Sequence, residues 1–316
     1  MGNVAATLAC VDFFDRTRPV LDGSVETPGL DLTRVPLPPK ELAVRWSEFD
    51  VAEVIVPIFM SRLAHGDDSY VGIPVFPYRA YFFSNVIVHA DSGIERPADL
   101  IGRRVGTPGL HLAGTVWTRG ILQDEYDVQG SQVHWVTPGP LRVTVPPEMP
   151  LEIISAERSL SDLLECGEID AWLGSNTPAC FERGSPRVRR LFPDYRAAEE
   201  AYARRTRCFP IIHMIALRRA LYERDPWLAT TLVQIFERAK AVGLARLVND
   251  AVFACRLPWL RHDLEELPRL FGGDWYPYGF ESNRDVLATL ARYAAEQGLT
   301  PAPIDVAGLF APETRS

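Results

Sequence analysis

The chain opens with apolar runs of strand character that alternate with segments whose apolar positions recur at helical spacing. VAATLAC reads as a strand, DRTRPVLDG as a short helix and LDLTRVPL as a second strand. A helix opened by Pro38 and Pro39, the strand FDVAEVIV and a helix from Met60 to His65 come next, then the strands VGIPVFP and NVIVHA. Strand and helix taken in turn are the mark of an α/β sheet.

A new unit begins with RPADLIGRRVGTPG, where a short helix feeds the strand RRVGT and a Gly-rich turn. A helix from about Leu112 to Tyr126, the strand VHWV, a Pro-rich connection over 138–150 and the helix-strand pair SLSDLLECGEIDAWLG complete it, with Gly167 as the helix stop. RCFPIIHMIAL is a long strand, and the remainder is helical with breaks at Pro226, Pro258 and Pro268. Leaving one α/β unit near residue 88 and returning near 210 implies a discontinuous lobe (1–88 with 210–316), an inserted lobe (89–209), two crossing segments and an interlobe cleft.

Composition narrows the partner. A formal charge of -8 argues against nucleic acid or an anionic membrane, which need clustered positive charge, and favours a small molecule. No segment reaches the roughly 20 apolar residues that span a bilayer. MGNVAATLACVDFFD has no positive n-region, so a cytoplasmic protein is expected and TLAC is read as strand. Five scattered cysteines, Cys10, Cys166, Cys180, Cys208 and Cys255, suit free thiols, and no Cys or His pair has metal-ligand spacing. Lys40 and Lys240 are the only lysines, which leaves little room for Schiff-base chemistry.

LACVDFFDRTRPVLDG, EFDVAEV, GIPVFPYR, PADLIGRRVG, WTRGILQDEY, HWVT, RVRRLFPDYRAAEEAYARRT, FPIIH, YPYGFESNR and LFAPET follow one another from about Leu8 to Thr314. Together they resemble the 4,5-dihydroxyphthalate decarboxylase family. The resemblance implies a type II periplasmic-binding-protein-like fold turned to enzymatic use, removal of a carboxylate from a hydroxylated aromatic acid, no organic cofactor, and a homo-oligomer. Other lyase or dehydratase chemistry and plain ligand binding are open to the same scaffold. Val54-Ile55-Val56-Pro57-Ile58-Phe59 stands where the family pattern is polar, and Phe82 and Phe83 stand where it carries a basic residue and a histidine. A more apolar pocket is the expectation.

Decarboxylation of a hydroxylated ring requires a held carboxylate, oriented phenols and a delivered proton. His213, midway along an apolar strand, fits the proton donor, or else is a hydrogen-bonded core histidine. Glu53 ends FDVAE and is read as a carboxylate at the sheet edge, a proton relay or a phenol ligand; Asp12 has the same placing or caps the next helix. Arg16 and Arg79 follow strands and are the first choices for substrate carboxylates, whereas the arginines of RVRRL and ARRTR belong to solvated helix faces. Thr107, His111 and Thr115 flank a Gly-rich turn at a helix N-terminus, a natural anion site. Ser84 and Asn85 precede the first crossing strand, and Ser175, Asn176 and Thr177 follow EIDAWLG; all offer hydroxyls and amides to a ring substituent, or serve ordinary turns. Cys180 and Cys208 sit in apolar company and are read as packing.

Overall fold

The computed structural model describes residues 3–141, 143–248 and 257–316, and Cys255 lies outside them. Its strands are β1 (Val4–Val11), β2 (Leu30–Leu37), β3 (Val51–Ile55), β4 (Tyr70–Arg79), β5 (Val86–His89), β6 (Arg104–Gly106), β7 (His134–Pro138), β8 (Leu151–Ile154), β9 (Ala171–Leu173), β10 (Val188–Arg190) and β11 (Ile211–Arg218). The described residues divide into two compact units, Met1–Arg79 with Ile211–Ala288 and Asp305–Ser316, and Ala80–Pro210 with Thr289–Ile304.

The first unit holds a five-stranded sheet in the order β2-β1-β3-β11-β4. β1 is parallel to β2 and β3, while β11 runs antiparallel to β3 and β4. Leu8, Ala9, Cys10 and Val11 are wholly buried, as a near-continuous apolar run on a central parallel strand requires. β4 carries Pro74 and Pro77, neither of which can donate to a ladder, and its pairing with β11 shifts register on both sides of His213. The helix read from Met60 begins earlier, at Val56, with Pro57 in its first turn, where a missing N–H costs nothing.

The second unit is built on a six-stranded sheet, β10-β5-β9-β6-β7-β8. Both faces are covered: Val86, Val88, Trp135, Ala171 and Leu173 enter one apolar cluster, and their neighbours Ile87, Val136 and Trp172 enter the other. That alternation along β5, β7 and β9 is the period of two expected of strands buried on both sides. The helix Ala113–Tyr126 is buried from Ala113 through Leu122, and a side chain at Gly120 would collide with the ring of Tyr293. Two elements depart from expectation. LEII pairs with β7 beyond the Pro-rich connection. RVRRL supplies the edge strand β10 antiparallel to β5 rather than a helix face, because alternation lets Val188 enter the core while Arg189 and Arg190 lie half-buried.

Candidate functional site

Within the first unit, the register of β11 against β3 sets His213 opposite Ile55 and Ile215 opposite Glu53. His213 and Glu53 are therefore diagonal neighbours on one face, within reach of each other. Their side chains meet: His213 Nδ1 is 2.5 Å from Glu53 Oε1. Glu53 Oε2 accepts from the Val11 backbone N–H at 3.0 Å, so both carboxylate oxygens have donors and Glu53 is 1% exposed. A carboxylate only accepts, which places the imidazole proton on Nδ1 and leaves Nε2 to give or take the second proton. Among the described residues Nε2 has no hydrogen-bond partner.

Glu53 does not lie at the end of its strand, since β3 continues through Ile55 as FDVAEVIV suggested. Consequently the carboxylate lies within the buried body of the sheet rather than at a solvated edge. Aromatic rings fix the imidazole from the other side. The Tyr78 ring is edge-on to it at 5.1 Å and Phe14 at 6.2 Å, and Phe14 stacks on Tyr78 at 4.7 Å.

A cavity of about 70 Å³ adjoins the pair. Pro39, Leu42, Ala43 and Trp46 line one part of it, and Val54, Ile55, Ile58 and Phe59 another; Glu53 and His213 are the ionisable groups in its wall. The apolar stretch after DVAE thus borders the Glu-His pair directly.

Arg16 and Arg79 converge on one ring, that of Tyr276. The Arg16 guanidinium lies 3.5 Å from its centroid and the Arg79 guanidinium 5.4 Å. Arg16 also pairs with Asp15 at 2.5 Å. Arg79 is buried and donates to the Pro277 carbonyl at 2.8 Å and to Asn283 Oδ1, so these donors bind the C-terminal segment to β4. Burial pushes the Tyr276 phenol up to about 12, and its hydroxyl donates to the Pro77 carbonyl. Asp12 is exposed and caps nothing: the helix begins at Arg18 behind Thr17, whose hydroxyl bonds the Val11 carbonyl instead.

The remaining candidates belong to the second unit. Thr107 and Thr115 hydroxyls are 3.1 Å apart and fully buried at the start of Ala113–Tyr126. A side chain on Gly109 would meet the His111 ring, and one on Gly114 would meet Ser175. Ser175 and Asn176 are exposed, with the Asn176 carbonyl accepting from Trp172 Nε1; Thr177 donates to Glu182. Ser84 donates to Asn85 Oδ1 at 3.3 Å. Phe82 and Phe83 are buried, the latter edge-on to Phe192, and therefore pack. Cys180 and Cys208 are buried thiols outside any disulfide. Among the described residues no three His, Cys, Asp or Glu side chains gather as a metal site, and no helix is long and apolar enough to cross a membrane.

Sequence reasoning passed over Phe14, Tyr78, Tyr276 and Asn283 as site residues. The available signal was their position: Phe14 and Tyr78 directly follow or end strands whose neighbours had been singled out, and Tyr276 and Asn283 lie in YPYGFESNR.

The fold, a mixed α/β chain with two sheets, is periplasmic-binding-protein-like. The structure superimposes on the periplasmic aliphatic sulphonate binding protein SsuA from Escherichia coli with a TM-score of 0.54 at 16% identity, covering 97% of this chain and 91% of that one. The desulfurization enzyme DSZB matches with a TM-score of 0.53 at 19% identity, over 98% and 96%. These likenesses define the fold. No family model matches the chain. It is 39% identical to the 4,5-dihydroxyphthalate decarboxylase of Comamonas testosteroni over 312 residues, 95% of this chain and 94% of that protein. The enzyme of the same name from Pseudomonas putida is 32% identical over 200 residues, 60% of this chain and 78% of its own length. The chain belongs to the 4,5-dihydroxyphthalate decarboxylase family.

Proposed function

We propose that the protein is a carboxy-lyase that decarboxylates a hydroxylated aromatic carboxylic acid, with His213 as the proton donor and Glu53 as the residue that positions it. The observation that carries this reading is the buried Glu53-His213 pair, with Nδ1 committed to the carboxylate and Nε2 without a hydrogen-bond partner among the described residues, in a chain of this family. Protonated His213 gives its Nε2 proton to the ring carbon bearing the carboxylate, while a phenol para or ortho to that carbon supplies the electrons, releases its proton to solvent and becomes a dienone carbonyl that takes a proton back when the ring is restored. The carbon-carbon bond then breaks, its electron pair restores the aromatic ring, CO2 leaves, and solvent reprotonates the imidazole. One proton replaces one CO2. Glu53 stabilises the imidazolium form and holds the ring in plane with its target.

The apolar wall of Val54, Ile55, Ile58 and Phe59 beside the pair supports a substrate that turns an uncharged edge toward it. Among the described residues no arginine or lysine lines that cavity, so they offer no counter-charge there to the second carboxylate of a phthalate. Arg16, at 12% side-chain exposure, is the better placed of the two predicted arginines to meet a substrate carboxylate, Arg79 being committed to Pro277 and Asn283. A panel of hydroxylated benzoates and phthalates, 4,5-dihydroxyphthalate included, assayed for CO2 release with wild type and His213→Gln, tests the reading. Release from at least one acid, lost in the variant, is expected. Binding of these acids without any release would sink it in favour of a ligand-binding protein, and release of water in place of CO2 would point to a dehydratase.

A further inference from the structure

The second unit contains a buried charge that the proposed chemistry does not use. Arg119, on the helix Ala113–Tyr126, is 6% exposed. Its guanidinium lies over the Trp135 ring, 4.9 Å from the centroid, and Nη2 is 3.0 Å from Met149 Sδ, a weak acceptor. Nε and Nη1 are buried without a hydrogen-bond partner, and among the described residues no carboxylate pairs with Arg119. Burial pushes the guanidinium down to about 10, which still leaves it charged at neutral pH. A sulfur and a ring face do not replace the hydration lost by such a group.

Arg119 lines a polar cavity of about 300 Å³, large enough for a small organic anion. Gln123, Gln129, Ser131 and Gln297 contribute to its lining. Of the two carboxylates there, Glu296 is taken up by Arg292 and Gln123, and Glu148 is exposed. Gln297 is 6% exposed; its Nε2 donates to the Val116 carbonyl at 2.9 Å, but its Oε1 is buried with no donor. Unanswered guanidinium N–H groups call for acceptor oxygens, and the orphaned amide oxygen calls for an O–H.

We propose that this cavity is a binding site for a small oxyanion that also carries a hydroxyl group, a hydroxylated carboxylate or hydrogen phosphate, gripped by the guanidinium of Arg119 and by Gln297 Oε1. The site stands on its own residues and does not depend on the decarboxylase reading.

Titration calorimetry of the whole chain with inorganic phosphate, sulfate and 3,4-dihydroxybenzoate tests it, on wild type, Arg119→Met and Gln297→Glu. Phosphate or dihydroxybenzoate should bind wild type at least about tenfold tighter than either variant, the loss expected when a charged hydrogen bond goes. Gln297→Glu supplies an internal carboxylate for Arg119 without removing a buried group, so it reports on the site even if Arg119→Met folds poorly. Arg119-dependent binding of dihydroxybenzoate alone identifies a hydroxylated carboxylate, and of phosphate alone a phosphate; each upholds the site. Binding of both probes unchanged in both variants, or no binding of either to wild type, overturns it. Sulfate lacks an O–H and should bind at least about fivefold more weakly than phosphate; equal binding overturns the role given to Gln297 Oε1.

Discussion

Each unit of the chain buries an ionisable residue inside its sheet-and-helix core, but the two are partnered in opposite ways. Glu53 has a donor for each oxygen, one from the Val11 backbone and one from His213, and only the outer nitrogen of the imidazole is left over. Arg119 has a ring, a thioether and two nitrogens, Nε and Nη1, whose N–H groups have nothing to bond. A fully answered carboxylate fixes a tautomer and suits proton transfer; a half-answered guanidinium suits capture of an ion from outside. Removing one charge should therefore damage the first unit and spare the second.

The largest effect expected is on turnover. His213→Gln should lower kcat of the responsive acid by about 10²–10⁴-fold, the usual contribution of a positioned acid-base group, while KM and the circular dichroism spectrum stay near wild type. Retained turnover would return His213 to a structural role and erase the functional half of the contrast. Glu53→Ala should cost about 3 kcal/mol in urea unfolding, because it leaves the Val11 N–H and the His213 Nδ1–H buried without an acceptor. Glu53→Gln, which can still accept from one of them, should recover part of that stability. A loss below about 1 kcal/mol in Glu53→Ala would mean that water replaces the carboxylate, and that burial of the pair is less complete than its 1% exposure implies.

How far the sequence shows this contrast depends on the distance over which each partner is brought in. β1 and β2 could be bounded from their own patterns, since β2 coincides with LDLTRVPL and β1 adds only Val11 to VAATLAC. His213 and Glu53 could each be named because an ionisable residue inside an apolar run is conspicuous. Their bond could not be, since it depends on an antiparallel register between segments 160 residues apart. The same reason hides the fate of Arg79, whose partner Asn283 is 204 residues on, and the convergence of Arg16 on Tyr276. Arg119 was legible in principle. AGTVWTRGIL is apolar or small on every side of a helix with one arginine in it, and such a helix buries its arginine or exposes apolar surface.

Arg119→Met gives the comparison its sign. In buffer free of oxyanions, a flexible apolar side chain of similar length should leave urea stability unchanged or raise it by about 1 kcal/mol, since an incompletely compensated buried charge is removed. Added phosphate should then stabilise wild type, by mass action on the folded state, and leave the variant unmoved. A loss of more than about 2 kcal/mol without phosphate would show that the Trp135 and Met149 contacts already compensate the charge, and the two units would differ in degree only.

The smallest effect tests whether a buried acid in the second unit can resemble Glu53 in place and differ in charge. Glu199, on the helix Tyr195–Thr206, accepts from the backbone N–H groups of Phe83 and Ser84, yet burial pushes its carboxyl from the ordinary carboxylate range up to about 7. Glu53 receives its proton-bearing partner from a histidine; Glu199 has only amides, and neutralises instead. In the unfolded chain Glu199 loses its proton near 4.5, in the folded chain near 7, so between those values the folded state binds the extra proton. Stability from this group is thus complete below about pH 4.5 and declines as pH rises through 7. Glu199→Gln keeps an acceptor for the two amides and cannot ionise. Its Tm should match wild type at pH 5 and exceed it by roughly 2 °C at pH 8, a modest figure because the carboxyl is partly solvated. A Tm difference that is constant between those pH values would place the titration of Glu199 in the ordinary carboxylate range and leave the contrast with Glu53 to Arg119.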